Sequence, residues 1–335
     1  MNFSNVTLTP LASNGHLPIV VEANKQSEHL YEWVQDNKDG VDTLIEQYGG
    51  IVFRGFALDG RQGFINFVGD ISEPLEYRYR STPRKHLGKN LYTSTEYPPD
   101  QVIPLHCENA YQRDWPMRLF FYCERVAKEG GETLLANIAH ITHNIPQEII
   151  QSYTDKKIMY VRNYHRGLDL PWQTVFQTEN KNEVNDYCER HGIVTKWLDN
   201  NTLRTEQICQ VMAKHPGNRK SLWFNQAHLF HISNLDKKIR EVLLKLYSQE
   251  ALPRNVLHGD GSFLDEEYLD QIRTVYDQHK ALLSWQKGDV LLLDNMAIAH
   301  GRNTFSGDRS IVVIMGDSYS SQLKSPTALY TEIAQ

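Results

Sequence analysis

The sequence has few cysteines, and they are scattered. Cys107, Cys123, Cys188 and Cys209 are spread over 335 residues and form no C-x-x-C pair. That excludes a zinc ribbon and a disulfide-stapled framework, and it fits a reducing compartment. No apolar window of about 18 residues occurs, and the start, MNFSNVTLTPLASNG, lacks the basic and apolar stretches of a signal peptide. Membrane spanning and secretion are therefore not expected, and the cytoplasm is the expected location. Charge of one sign is lacking too. Lys and Arg number 35 against 41 Asp and Glu, a net charge of −6 with no basic block. This argues against nucleic acid or an anionic lipid surface as the partner. Without an internal repeat or a low-complexity linker, one domain over 1–335 is expected rather than two.

The apolar content is ordinary, 40% of residues, and its spacing changes along the chain. Residues 26–48 have the periodicity of one or two amphipathic helices, 51–53 form a short apolar strand after Gly49 and Gly50, and 60–71 are helical again. From about residue 101 the pattern becomes short apolar or alternating runs: QVIPLHCE, MRLFFYCERV, ETLLANI, KKIMYVRNY, HGIVTKWL, GDVLLLDN and RSIVVIMG. Many short strands with few helices between them predict a barrel or sandwich. Gly130 and Gly131, between two such runs, predict a tight hairpin turn. Helical spacing over 235–247 and 263–279 predicts a helical insertion at about 235–280, and 317–335 is expected to be a surface tail. The fold class expected is mainly β with flanking helices (α+β).

Fourteen histidines are many for this length. His106 and Glu108 stand two apart in an alternating run, so on a strand both side chains point to one side and Cys107 points away. A His and a carboxylate supply two ligands of a facial triad, which needs a second His from elsewhere. His300 is the candidate, because it follows the apolar run GDVLLLD and stands just before Gly301, at the end of a structural element. Read alone, H-x-E is a weak pattern, equally served by a hydrogen-bonded histidine and a solvated glutamate. Arg309 opens the run RSIVVIM and suits bidentate capture of a carboxylate, and Thr133 opens the run after Gly130 and Gly131. The pairs His140/His143 and His228/His231 lack the glutamate of a zinc protease motif and are read as structural or pocket-lining. No G-x-S-x-G elbow occurs to support a serine nucleophile.

Taken together, H-x-E at His106 and Glu108, GGET at 130–133 and HGRNTFSGDR at 300–309 resemble the Fe(II)- and 2-oxoglutarate-dependent dioxygenases of the taurine dioxygenase (TauD/TfdA) family. NLYTSTEYPPDQVIPLHCENAY and WFNQAHLFH look like its branch of clavaminate synthase-like and SyrP-like amino acid hydroxylases. The resemblance implies a double-stranded β-helix, or jelly roll, in a single catalytic domain with its core at about 45–316. It also implies that His106, Glu108 and His300 ligate Fe(II). Thr133 and Arg309 would hold the distal carboxylate of 2-oxoglutarate, whose other end chelates the metal, and O₂ would take the remaining position. Taurine dioxygenase itself has a second arginine four positions after its cosubstrate arginine; here that position is Val313, which disfavours a small sulfonate. The family's halogenases replace the carboxylate ligand by a small residue, so Glu108 disfavours halogenation.

The chemistry this implies is hydroxylation of an unactivated C–H bond with release of succinate and CO₂. The implied partner is an amino acid or a derived small molecule, free or presented by a carrier protein, in specialised metabolite biosynthesis. Substrate contacts are expected from Asn109, Arg113, Arg302 and Phe224, with Tyr92, Tyr97 and Trp223 nearby in the pattern. Two other outcomes share these residues: desaturation or cyclisation with the same cofactors, and a non-catalytic β-helix binding module.

Overall fold

A computed structural model of the chain describes residues 3–12, 17–79, 82–165, 169–198, 201–321 and 323. The longest apolar runs form the centre of an eight-stranded sheet. Its order is Val6–Pro10, Ile19–Ala23, Gly50–Arg54, Val290–Asp294, Asp114–Arg125, Ser310–Ser320, Leu91–Thr93 and His86–Gly88. On one face Phe120, Tyr122, Leu292, Val312 and Ile314 pack against Trp33, Leu44, Phe64 and Phe67 of the helices Leu30–Asp36, Lys38–Tyr48 and Gly60–Ile71. On the other, Leu119, Phe121, Leu291, Leu293, Ile311 and Val313 face inward. Successive residues of a strand alternate faces, so a strand covered on both sides must be apolar throughout. That is why LFFYC and VLLL show no alternation.

The inward face is closed by a four-stranded sheet ordered Ala281–Leu283, Thr133–Asn137, Ile298–Arg302 and Ile103–His106. Leu135, Leu283 and Ile298 join the core shared with the large sheet. Leu134, Ala136 and Ala299 point the other way, into a second core with Ile141, Ile149, Leu269 and Ile272 of the helices Ile138–Asn144, Gln147–Lys156 and Glu266–Gln278. Two mainly antiparallel sheets face to face, with helices on the outside, make the jelly-roll core. A further four-stranded sheet, ordered Val194–Trp197, Leu203–Cys209, Ile158–Asn163 and Arg254–His258, is built beside it. All four cysteines are buried and unpaired, and no helix of the described residues is long and apolar enough to cross a membrane.

Several expectations are corrected. Gly130 and Gly131 do not turn a hairpin, because the strands before and after them lie in different sheets. Glu129–Gly130 instead pairs with Phe305–Ser306. Gly130 has φ 68°, and a Cβ there would stand 2.2 Å from the Thr304 carbonyl oxygen, so the glycines serve a close crossing of two segments. The segment 235–280 is not purely helical: between Lys237–Leu246 and Glu266–Gln278 it contributes Arg254–His258, which pairs with Ile158–Met159–Tyr160–Val161–Arg162. The large sheet begins well before residue 45, at Val6. It also continues past 316, since Ser318, Tyr319 and Ser320 pair with Pro116, Trp115 and Asp114; of the expected tail, 322 and 324–335 lie outside the described residues.

Buried histidines give this fold an acid limit. His228 lies with Nε2 3.3 Å from the Leu105 carbonyl and its ring stacked on Tyr276, and burial pushes its pKa down to about 3. Burial likewise takes His231 down to about 4. Unfolding returns both to an ordinary value near 6.5, so below that pH the unfolded chain binds protons that the folded chain refuses. Stability is therefore full above pH 6.5 and is lost as pH falls from 6.5 toward 4. Each histidine adds a slope of about 1.4 kcal/mol per pH unit. Urea melts at pH 7.5, 6 and 5 should show this fall, flattened in His228→Gln and His231→Gln; an unchanged slope in both variants would refute the assignment.

Candidate active site

Three donor side chains converge between the two facing sheets. His300 sits in the middle of Ile298–Arg302, not at the end of an element as expected, and faces inward like Ile298 two residues earlier. Its neighbour in register on the edge strand is His106, and the two rings are 4.5 Å apart. The pairing slips between His300 and Arg302, and there Gly301 is required: a Cβ would lie 2.5 Å from the Ile103 carbonyl oxygen. Glu108 corrects the sequence reading in a different way. The strand ends at His106, so Glu108 does not reach the site by strand alternation. The buried amide of Asn295 captures its backbone: Glu108 N–H donates to Asn295 Oδ1 at 2.7 Å, and Asn295 Nδ2 donates to the Glu108 and Pro116 carbonyls at 2.9 and 2.8 Å. This clamp folds the chain back so that the carboxylate turns toward His300, with Glu108 Oε2 3.8 Å from His300 Nε2.

One ligand atom from each of His106, Glu108 and His300 lies within 4.8 Å of the others, the one such cluster among the described residues. The chemistry of the set fits a divalent metal. Burial pushes both imidazoles down, opposed at His106 by Glu108 and the Pro104 carbonyl and reinforced at His300 by His106 and Arg84, so both are neutral and can donate a lone pair at neutral pH. His106 Nδ1 stands 2.8 Å from the Pro104 carbonyl, the contact that holds the proton there and leaves Nε2 as the donor. His300 Nδ1 is buried with no partner among the described residues. Two neutral imidazoles and a carboxylate on one side of a cation are the donor set of non-haem iron oxygenases.

Arg84 was missed in the sequence reading. Its Nη2 donates to Glu108 Oε2 at 2.7 Å, and both side chains are nearly buried, 4% and 5% exposed. A buried carboxylate needs a compensating cation, and here Arg84 supplies it. Nothing in the run STPRKH marks this arginine, because its partner is 24 residues away.

The same cleft is walled by Thr133, Arg309, Arg302, Ser94, Thr95 and Phe121 besides the histidines. Thr133 opens its strand as expected. Its hydroxyl accepts from Trp285 Nε1 at 2.9 Å, which leaves its own hydrogen to donate. Arg309 immediately precedes Ser310–Ser320, and its Nε is fixed on the Gly131 carbonyl at 3.1 Å. Burial, with Arg302 nearby, pulls its pKa down to about 10, so it is charged at neutral pH. A cationic fork and a hydroxyl in a buried recess beside the donor cluster can hold a carboxylate.

The other expected contacts are dispersed. Arg302 reaches the cleft wall, but its guanidinium donates to the Tyr97, Pro98 and Gln101 carbonyls and so ties that loop to the barrel. Phe224 is buried against Trp115 and Trp223 against Tyr153, away from the cleft. Arg113 donates Nε to the Ile208 carbonyl. Tyr92 is buried and accepts from Tyr77 N–H, and Tyr97 is half exposed. Asn109 adjoins Glu108 at φ 58° and faces a separate groove with Tyr79, Gln112 and Trp115.

Comparison with known proteins agrees with this architecture. The family described as Taurine catabolism dioxygenase TauD, TfdA family matches residues 8–315. Dapdiamide synthesis protein DdaC of Enterobacter agglomerans is 38% identical over 321 residues, covering 95% of this chain and 97% of that protein. Clavaminate synthase-like protein At3g21360 of Arabidopsis thaliana is 28% identical, covering 83% and 84%. In fold, the chain is similar to the crystal structure of PvcB from Pseudomonas aeruginosa, with a TM-score of 0.53, 14% identity and coverage of 94% and 92%.

Proposed function

This chain belongs to the TauD, TfdA family, and from that premise we propose that it hydroxylates an unactivated C–H bond of an amino acid or amino-acid-derived small molecule in specialised metabolite biosynthesis. The protein is an Fe(II)- and 2-oxoglutarate-dependent dioxygenase, and its cosubstrates are 2-oxoglutarate and O₂. In this reading His106, Glu108 and His300 hold the iron, and Thr133 with Arg309 grips the distal carboxylate of 2-oxoglutarate. The observation that carries it is that His106, His300, Thr133 and Arg309 line one cleft and Glu108 meets the two histidines there, five side chains from four separate stretches of sequence. Iron with 2-oxoglutarate and O₂ supplies the oxidising chemistry, with succinate and CO₂ as the co-products. The chain's own residues position and shield: Asn295 holds the Glu108 backbone, the Pro104 carbonyl fixes the His106 ring, and Phe121, its ring 5.4 Å from that of His300, keeps water from the cluster.

The name of the 38% identical relative, a dapdiamide synthesis protein, supports the biosynthetic setting. The substrate arrives free or on a carrier protein. The reading takes the chain as one catalytic domain working in the cytoplasm, with neither nucleic acid nor membrane as partner. A second outcome, desaturation, is supported by the name of a 23% identical relative, a synthase of an isocyanoethenyl indole.

Anaerobic titration of metal-free protein with Fe(II) and 2-oxoglutarate should raise the visible charge-transfer band of chelated cosubstrate, and His106→Ala should abolish it. Absence of the band in folded wild-type protein would sink this assignment of the cleft. Amino acids can then be screened by succinate release, and product mass separates the outcomes: hydroxylation adds one oxygen, desaturation removes two hydrogens.

A further inference from the structure

The sheet beside the jelly roll builds a second pocket that shares no lining residue with the metal cleft. Its floor is one face of three strands. Arg162 stands opposite Thr205 on one neighbouring strand and opposite Arg254 on the other, and Tyr160 stands opposite Gln207. Residues opposite each other in a ladder share a face, and so do residues two apart, so these side chains all rise on the same side. Tyr111 and Phe230, their rings 5.0 Å apart, form an aromatic wall above them.

Charge and hydrogen bonding on this floor are unbalanced. Asp169 accepts from Arg162 Nε at 3.1 Å and from Arg254 Nε and Nη2 at 2.6 and 2.8 Å. Among the described residues one carboxylate stands between two guanidiniums, which leaves one positive charge in excess, and the described pocket lining contains no acidic side chain. Arg162 is only 7% exposed, yet its Nη1 meets hydrogen-bond geometry with no partner among the described residues, although the Tyr79 hydroxyl on the pocket wall stands beside the guanidinium. Its Nη2 lies 3.1 Å from Asp169 Oδ2 without meeting hydrogen-bond geometry. The guanidinium is held in place by the Tyr164 ring, 4.7 Å below it. Buried guanidinium donors are rarely left unmade, and two parallel N–H groups at the bottom of an aromatic-walled pocket match a carboxylate. A single excess charge suits a monoanion better than a phosphate dianion.

We propose that this pocket is a second binding site, separate from the metal cleft, for a small monocarboxylate carried on an aromatic or apolar body. Arg162 takes the carboxylate, and Tyr111, Tyr160 and Phe230 enclose the body. The inference does not rest on the metal chemistry.

The test uses 4-fluorobenzoate as probe and fluorine NMR of the full-length, metal-free protein. Saturable binding is expected, unchanged by excess 2-oxoglutarate and unchanged in Arg309→Gln. Arg162→Gln should weaken it at least tenfold. Because that change also disturbs the Asp169 cluster, Ile193→Trp, which fills the pocket from its rim and leaves the arginine in place, should weaken it as much without altering the melting temperature. No binding at millimolar probe would overturn the proposal. So would binding that survives both pocket variants, or binding that is lost in Arg309→Gln or displaced by 2-oxoglutarate, because the probe would then occupy the metal cleft.

Discussion

Glu108→Ala is expected to weaken ferrous iron binding by more than about 100-fold, beyond the 10- to 100-fold typical of residues that only support a metal ligand. It should also destabilise the metal-free protein. The second effect follows from Arg84, whose guanidinium is 4% exposed and pairs with Glu108 at 2.7 Å. Removing one partner of a buried ion pair leaves the other charge without compensation, at a cost of about 3 to 5 kcal/mol. The two losses come apart in the double variant Arg84→Met/Glu108→Ala, which removes both charges: stability should return while iron binding stays lost. Denaturant melts of the metal-free proteins and anaerobic iron titration read the two effects separately. Unaltered stability in the single variant would show that Arg84 does not depend on Glu108, and retained iron affinity would remove Glu108 from the ligand set.

Arg309→Ala is expected to leave iron binding intact while weakening 2-oxoglutarate by about 2 to 5 kcal/mol, the loss on truncating one member of a buried, hydrogen-bonded charge pair. That is roughly 30- to 4000-fold in affinity. The side chain is positioned for this, since its Nε is fixed on the Gly131 carbonyl and Phe305 packs 5.7 Å from the guanidinium carbon. Arg309→Lys should recover only part of the loss, because an ammonium is a point charge and cannot reproduce the planar fork. The readout is the 2-oxoglutarate concentration needed to develop half of the charge-transfer band at saturating Fe(II). An unchanged midpoint in Arg309→Ala would place the cosubstrate elsewhere.

The local pattern of residues was enough for much of this protein. The helix Gly60–Ile71 has the bounds its apolar spacing predicts, and the runs at 114–125, 290–294 and 310–316 are strands because their residues are β-favouring and buried on both faces. The side chains proposed for iron and cosubstrate, His106, Glu108, His300, Thr133 and Arg309, could be picked out as candidates because iron and carboxylate chemistry restrict the residue types allowed and the family motifs keep them in order. What was misread depended on partners far away in the chain. Gly130 looked like a hairpin turn, since a left-handed glycine has the same composition whether it closes a hairpin or lets the distant Thr304 carbonyl pass. Glu108 looked like a strand residue, since the clamp that turns it is an asparagine 187 positions later.

The sequence by itself thus determined the donor types, the strand-rich core and the family, all of which follow from local periodicity and short motifs. Only the tertiary structure decided that Arg84 neutralises Glu108, that Asn295 aims it, that Arg302 is spent on loop carbonyls, and that Arg162 and Arg254 share one carboxylate on the floor of a second pocket. Charge compensation and hydrogen-bond satisfaction are requirements of burial, and which groups are buried together is set by sheet register and packing between segments far apart in the chain.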